Sequence, residues 1–157
     1  MSDSPVDEID RQILSLLQEE ARNNTNAEIS DRVGVSPSTI GKRIKRLEEA
    51  GIIKGYHPDI DYDRAGLPLR VLFICTTPIT DRSDLIQRAI QLPGVVNVKE
   101  LMNGRENVHI EVVGDHNDEI TRLATAIDDL GIAINEEVLV KNDYPQPASI
   151  FRSAETE

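Results

Sequence analysis

Apolar residues in the first fifty positions recur at helical spacing, and from residue 69 onward stretches of strand and helical spacing alternate. In DEIDRQILSLLQEEAR, Ile9, Ile13, Leu16, Leu17 and Ala21 fall three or four positions apart, which predicts an amphipathic helix. Asp7 stands where an N-cap belongs, and acids in the first turn suit the helix dipole. NNTNAEISDRVG predicts a short second helix, capped by Thr25 or Asn26, with Ile29 and Val33 inward. Gly34 ends it in a left-handed turn. SPSTIGKRIKRLEEAG predicts a third helix, with Ser36 as cap, Pro37 at the first helical position, Ile40, Ile44 and Leu47 inward, and Gly51 closing it. Only Gly34 to Ser36 separate the second helix from the third, so the chain must turn a sharp corner, as a helix-turn-helix does. A short strand is expected at Ile52–Tyr56, limited to a sheet edge by Pro58.

The later pattern reads strand, helix, strand, strand, helix, strand. LRVLFICTT is β-branched and apolar. SDLIQRAIQL puts Leu85, Ile86, Ala89 and Ile90 on one side. PGVVNVKELM opens with a turn and becomes a strand. ENVHIEVVG alternates, with Val108, Ile110 and Val112 on one face and His109 and Glu111 on the other. NDEITRLATAIDDLG turns Ile120, Leu123, Ile127 and Leu130 inward, and IAINEEVLV is the last strand. Two βαβ halves in series predict a ferredoxin-like sheet whose second face has no helices to cover it; a second subunit is the natural cover. The fold class expected is therefore α+β. A winged-type helix-turn-helix with a short β-ribbon and linker occupies 1–65, a ferredoxin-like βαββαβ domain 66–142, and a tail 143–157. The tail, NDYPQPASIFRSAETE, lacks periodicity and is expected to be mobile, with Ile150 and Phe151 available to dock on a neighbour.

Composition narrows the functional classes. The net charge is −11, with 39% apolar residues and few aromatics. Residues 1–65 hold nine Lys and Arg against thirteen Asp and Glu, a net −4, and residues 66–157 hold eight against fifteen, a net −7. Global charge therefore does not draw this chain to nucleic acid, and any such contact must be local. Twelve of the cations are Arg and five Lys. This acidic, lysine-poor balance resembles that of proteins from salt-loving microbes and predicts a halophilic, archaeal origin. The densest apolar run, Val71–Cys75, is far shorter than a membrane span, which predicts a cytoplasmic protein with no membrane partner. The single cysteine, Cys75, excludes an intramolecular disulfide and a multi-cysteine zinc site.

Local charge is concentrated on the third helix. Residues 38–46 hold Lys42, Arg43, Lys45 and Arg46 and no acid. With Ile40, Ile44 and Leu47 inside, Thr39, Lys42, Arg43 and Arg46 are expected on the outer flank, bordered by Ser38 and Lys45. Gly41 among them would let the helix approach another surface closely. A major groove admits one α-helix between walls of phosphate. Arg can fork onto guanine, while Lys and the hydroxyls of Ser36, Ser38 and Thr39 hold phosphate oxygens. Double-stranded DNA is the expected partner.

Ser36, Thr39, Ile40, Arg43, Ile44, Leu47, Glu48, Gly51, Ile52, Ile53, Gly55 and Tyr56 resemble the helix-turn-helix signature of the Lrp/AsnC, or feast/famine, family, and DEIDRQILSLLQEEAR resembles that family's opening helix. The resemblance implies a transcriptional regulator, a homodimer or higher even-numbered oligomer acting on near-palindromic DNA. It also implies an effector-sensing (RAM) domain of ferredoxin-like fold, which LPGV at 92–95 fits. In that family a Gly-Asp-aromatic-Asp loop helps bind an amino-acid effector between subunits. The corresponding residues here are Gly104, Arg105, Glu106 and Asn107. The glycine matches, Asn107 replaces an acid without its charge, and Arg105 and Glu106 depart. Glu106 and Arg105 can meet an amino acid's ammonium and carboxylate with roles exchanged; an ordinary hairpin turn is the alternative.

Two rivals share the fold. Tetrapyrrole decarboxylases of the sirohaem type resemble it but call for a pocket bearing histidine and arginine, and VVNVKELMNGREN offers Lys99 and Arg105 without a histidine. An effector-independent architectural DNA binder is the other. No catalytic set, cofactor loop or metal site is expected. His57, His109 and His116 lack ligand spacing, and GDHNDE reads as a helix cap.

Overall fold

The computed structural model describes residues 4–102 and 104–152. The chain forms two compact units. One comprises the chain up to Pro58 together with the segment from Tyr144 on, and the other spans Asp59–Asp143.

The first unit contains α1 (Glu8–Glu19), α2 (Asn26–Val33) and α3 (Pro37–Glu49). Each start is fixed locally. Asp7 caps α1 and is capped in return by Asp10, while Thr25 and Glu28 form the same reciprocal pair on α2. The Ser36 hydroxyl accepts the Thr39 N–H at the start of α3, with Pro37 following. The corner between α2 and α3 turns on Gly34 at φ +86°, a conformation that side chains rarely tolerate. The Ser30 hydroxyl donates to Val35 O across that corner. Ile13, Ile29, Ile40 and Leu47 are fully buried where the three helices meet.

The strand expected at Ile52–Tyr56 does not form. The N–H groups of Ile52 and Ile53 instead donate back to Leu47 O, at 3.0 and 3.1 Å. The Tyr56 hydroxyl donates to Glu48 Oε1 at 2.9 Å, and burial together with that carboxylate pushes its pKa up to about 12. These bonds fold the segment onto the end of α3, and no ladder carries it. The described part of the expected tail, up to residue 152, also differs from expectation, while residues 153–157 lie outside the described residues. A single 3₁₀ turn at Ser149–Phe151 packs on α1, with Ala148 buried and Phe151 against the helical core. Arg152 pairs with Glu19 at 3.4 Å. An apolar side chain seeking cover, rather than backbone periodicity, organises this turn.

The second unit contains β1 (Leu69–Thr76), α4 (Arg82–Ala89), β2 (Val95–Glu100), β3 (Val108–Gly114), α5 (Asn117–Asp129) and β4 (Ala133–Leu139). The sheet order is β2-β3-β1-β4, every pair antiparallel. This is the ferredoxin-like arrangement. Val71, Phe73 and Cys75 of β1 join Val108, Ile110 and Val112 of β3 under Leu85, Ala89, Ile120, Leu123 and Ile127 of the helices. Burial pushes the Cys75 thiol up to about 12, so it is an inert core group. Leu72, Ile74 and Val138 point to the opposite face, which no helix of this unit covers. The boundary falls at Pro58, seven residues before the expected one, because residues 61–67 close a turn of their own through Ala65 N–H to Asp61 O and Leu67 N–H to Tyr62 O.

Replacing half-buried Phe151 with Ala should lower the stability of the helical unit by about 1–2 kcal/mol, a fraction of the cost for a fully buried ring. Ile150 is 76% exposed, so Ile150→Ala should shift stability by less than about 0.5 kcal/mol. Urea denaturation followed by helical circular dichroism compares the two; equal losses would contradict the docking of Phe151.

Candidate nucleic-acid interface and effector loop

The cationic helix is held in an unexpected way. Asp10 of α1 is completely buried, and its carboxylate faces α3. Arg43 Nη1 donates to Asp10 Oδ1 at 3.0 Å and to Asp7 Oδ2 at 2.7 Å, while Arg46 Nη2 donates to Asp10 Oδ2 at 2.5 Å. Asp10 Oδ2 also accepts the Asp7 N–H. A buried carboxylate is tolerable only with such partners. The Asp10 N–H, followed by the Arg43 guanidinium, holds the Asp7 carboxyl below its ordinary range. The two carboxylates in turn raise the pKa of Arg43.

Arg43 is therefore not on the outer flank where the sequence reading put it. Its side chain is only 24% exposed and faces α1, whereas the Arg46 side chain is 56% exposed with one edge on Asp10. The reason is geometric: Ile40, Arg43, Ile44 and Leu47 follow the i, i+3, i+4, i+7 rule of an inner stripe. Asp10, Ile13, Leu14 and Leu17 follow the same rule on α1. Two opposite charges at stripe positions of separate helices were the signal for this contact. Gly41 differs too. A Cβ there would lie 2.9 Å from Asn26 Nδ2, so its smallness serves the packing of α2 on α3.

The remaining residues of the set do face outward. Ser36, Ser38, Lys42 and Lys45 are exposed and Thr39 is half-buried. Ser36 Oγ lies 2.8 Å from Thr39 Oγ1 and 3.5 Å from Ser38 Oγ, a hydroxyl cluster at the helix start. Lys45 approaches Glu49 at 3.9 Å, a contact of little strength in water. α3 is the one α-helix among the described residues with no acid in its first turn. Pro37 has no N–H and the Thr39 N–H is taken by Ser36 Oγ, so the Ser38 N–H and the helix dipole are what this end offers an anion.

Residues 6–54 match the family described as winged helix-turn-helix DNA-binding. This segment is a helix-turn-helix. The transcriptional regulator AldR of Mycobacterium tuberculosis is 48% identical over 67 residues, 43% of this chain and 37% of its own length. The chain thus spans well under half the length of that curated relative. The fold extends further than the sequence likeness. The solved leucine response regulatory protein LrpA of Mycobacterium tuberculosis aligns over 90% of this chain and 97% of its own, with a TM-score of 0.78 at 22% identity. A transcriptional regulator from Neisseria meningitidis, solved in complex with L-Met, aligns over 90% and 94%, with a TM-score of 0.75 at 23% identity. The α+β fold is that of the Lrp/AsnC regulators.

Beyond the helix-turn-helix, the effector loop reads differently in three dimensions. Gly104 turns the hairpin at φ +100°. Asn107 is buried and engaged with one residue: its Oδ1 accepts from Thr77 N and Thr77 Oγ1, and its Nδ2 donates to Thr77 O. Its oxygen, already accepting twice, is committed to fastening β3 to the end of β1 rather than to replacing the missing acid. Arg105 and Glu106 are exposed, and the Arg105 carbonyl accepts from Thr76 Oγ1. Arg82, at the start of α4, was not singled out by the sequence reading. It reaches Glu100 and the Leu101 carbonyl at the edge of the same hairpin, and its buried Nε has no hydrogen-bond partner among the described residues. Asp115, His116 and Glu119 bring potential ligand atoms within 4.8 Å of one another. Glu119 accepts the Asp115 N–H and His116 pairs with Asp115, so these groups bond to one another at the exposed start of α5.

Two tests follow from the Asp10 contact. Arg43→Ala removes one of the two guanidinium partners of a buried carboxylate and should destabilise the helical unit by about 2–4 kcal/mol, whereas exposed Lys42→Ala should change stability by less than about 0.5 kcal/mol. Chemical denaturation distinguishes them, and equal effects would contradict the clamp. The sign for Asp7 is that of a depressed carboxyl. Its contribution is complete above the ordinary carboxylate pKa of about 4 and is lost as pH falls below it. Thermal melts from neutral pH downward should show Asp7→Asn losing less stability than the wild type below that point.

Proposed function

We propose that the chain is a sequence-specific transcriptional regulator that binds duplex DNA through α3. The observation that carries this reading is the acid-free stretch of α3 up to Arg46: Ser36, Ser38 and Thr39 at its start, then Lys42, Lys45 and the outer edge of Arg46. In a chain of net charge −11 the exclusion of acids from this stretch is a local feature that global composition opposes. The hydroxyls and the Ser38 N–H position phosphate, and Arg46 reads a base edge. Arg43 supports the helix from behind.

Two copies joined through the uncovered sheet face, where Leu72, Ile74 and Val138 lie, would present two α3 helices to successive major grooves about 34 Å apart. A near-palindromic target suits that symmetry. The effector is an amino acid or related metabolite held beside the Gly104–Asn107 hairpin, with Arg105 and Glu106 as its charged contacts; the L-Met complex of the Neisseria protein favours this class. Such a ligand would shift DNA affinity by changing how the copies sit together. The lysine-poor acidic surface suits work in a salty cytoplasm, where a Debye length of ~3 Å at 1 M leaves little long-range attraction and shifts the burden to close contacts.

Charge reversal at Lys42 and Lys45 tests the interface without touching Asp10. The doubly substituted Lys42→Glu, Lys45→Glu protein should fold normally and lose at least about tenfold in affinity for promoter DNA in a gel-retardation assay. Retardation equal to that of the wild type would refute the assignment.

A further inference from the structure

The contacts of Asp10 with Arg43 and Arg46 bear on DNA reading as well as on stability. We propose that Asp10 is a positioning residue for sequence discrimination: together with Asp7 it neutralises Arg43 and Arg46, and it fixes the outward edge of Arg46. The inference rests on the DNA-binding reading of α3.

Consider the charges first. Asp7 and Asp10 together carry two negative charges, and Arg43 and Arg46 carry two positive ones, in a network closed by contacts of 2.5 to 3.0 Å. The four residues sum to zero. Counterion release on DNA scales with the phosphates that free cations neutralise. The clamp therefore removes two cations from the sequence-independent attraction and leaves it to Lys42 and Lys45. Geometry adds the second half. Asp10 is wholly buried and cannot move with its partners. Arg46 is tethered through Nη2 alone, and its side chain remains 56% exposed. Its guanidinium is thus pinned at one corner with the rest of the fork facing out. The freedom that a free arginine surrenders on binding has already been given up on folding. A pinned fork accepts one geometry of partner, and the paired acceptors of guanine are such a geometry. A loose cation would accept any phosphate.

A merely structural acid predicts that its loss weakens all DNA binding together. A positioning acid predicts opposite signs for the two kinds. Two duplexes are needed: one carrying the sequence that the wild-type protein enriches from a random pool, and one scrambled from the same bases. Asp10→Asn keeps size and an acceptor but frees a positive charge. It should bind the scrambled duplex about threefold more tightly at 0.1 M salt, with a salt slope steeper by about one ion. Its preference for the enriched duplex should fall about tenfold. Arg46→Lys keeps the charge without the fork, and should lose the same preference with an unchanged salt slope. It decides the matter by loss or retention of preference if Asp10→Asn fails to fold. Undiminished preference in the folded Asp10→Asn protein, or parallel weakening on both duplexes, overturns the proposal. A wild-type chain that retards neither duplex would instead overturn the DNA-binding reading on which it stands.

Discussion

The arrangement of the helical unit depends on one buried carboxylate. Asp10 lies between α1 and α3 with both oxygens occupied by guanidinium groups. A carboxylate excluded from water needs these partners, so the contact ties the two helices together at this point. The hydrophobic contacts of Ile13, Ile29, Ile40 and Leu47 supply the bulk of the stabilisation. The charge contact specifies which way α3 faces. Lys42, Lys45 and the free edge of Arg46 are turned to solvent because Arg43 and the other edge of Arg46 are turned to Asp10.

The two units divide the labour of composition. The core of the ferredoxin-like unit is built on branched apolar side chains, with Phe73 as the one aromatic ring in its buried cluster. Its hairpin is fastened by Asn107, whose three bonds to Thr77 fix the place where β3 leaves the loop. The helical unit recruits a residue from the far end of the chain, Phe151, to finish its core. The chain therefore leaves the helical unit after Pro58 and returns to it at Tyr144.

Long periodic elements were legible in the sequence because caps and stripes reinforce each other. Asp7, Thr25 and Ser36 stood where the helices begin, and all four strands fell within their apolar runs. What escaped depended on partners distant in sequence. Arg43 reads as a surface cation until Asp10, thirty-three positions earlier, is seen to occupy the same kind of stripe position. Gly41 reads as a point of close approach, but that the surface approached is Asn26 on α2 shows only in three dimensions. Ile52–Tyr56 has the composition of a strand, yet the carbonyl of Leu47 and the carboxylate of Glu48 claim its donors first. Asn107 has the position of an effector ligand but spends its amide on Thr77. Local pattern cannot show which polar group is already spoken for.

The central claim is that the outward face of α3 meets duplex DNA. Backbone amide resonances followed during titration with duplex DNA test it most directly. The account predicts that the largest shifts fall on Ser36 to Arg46, with the amides of Ser38 and Thr39 among them. Shifts confined to the sheet unit, with those of α3 unmoved, would contradict it.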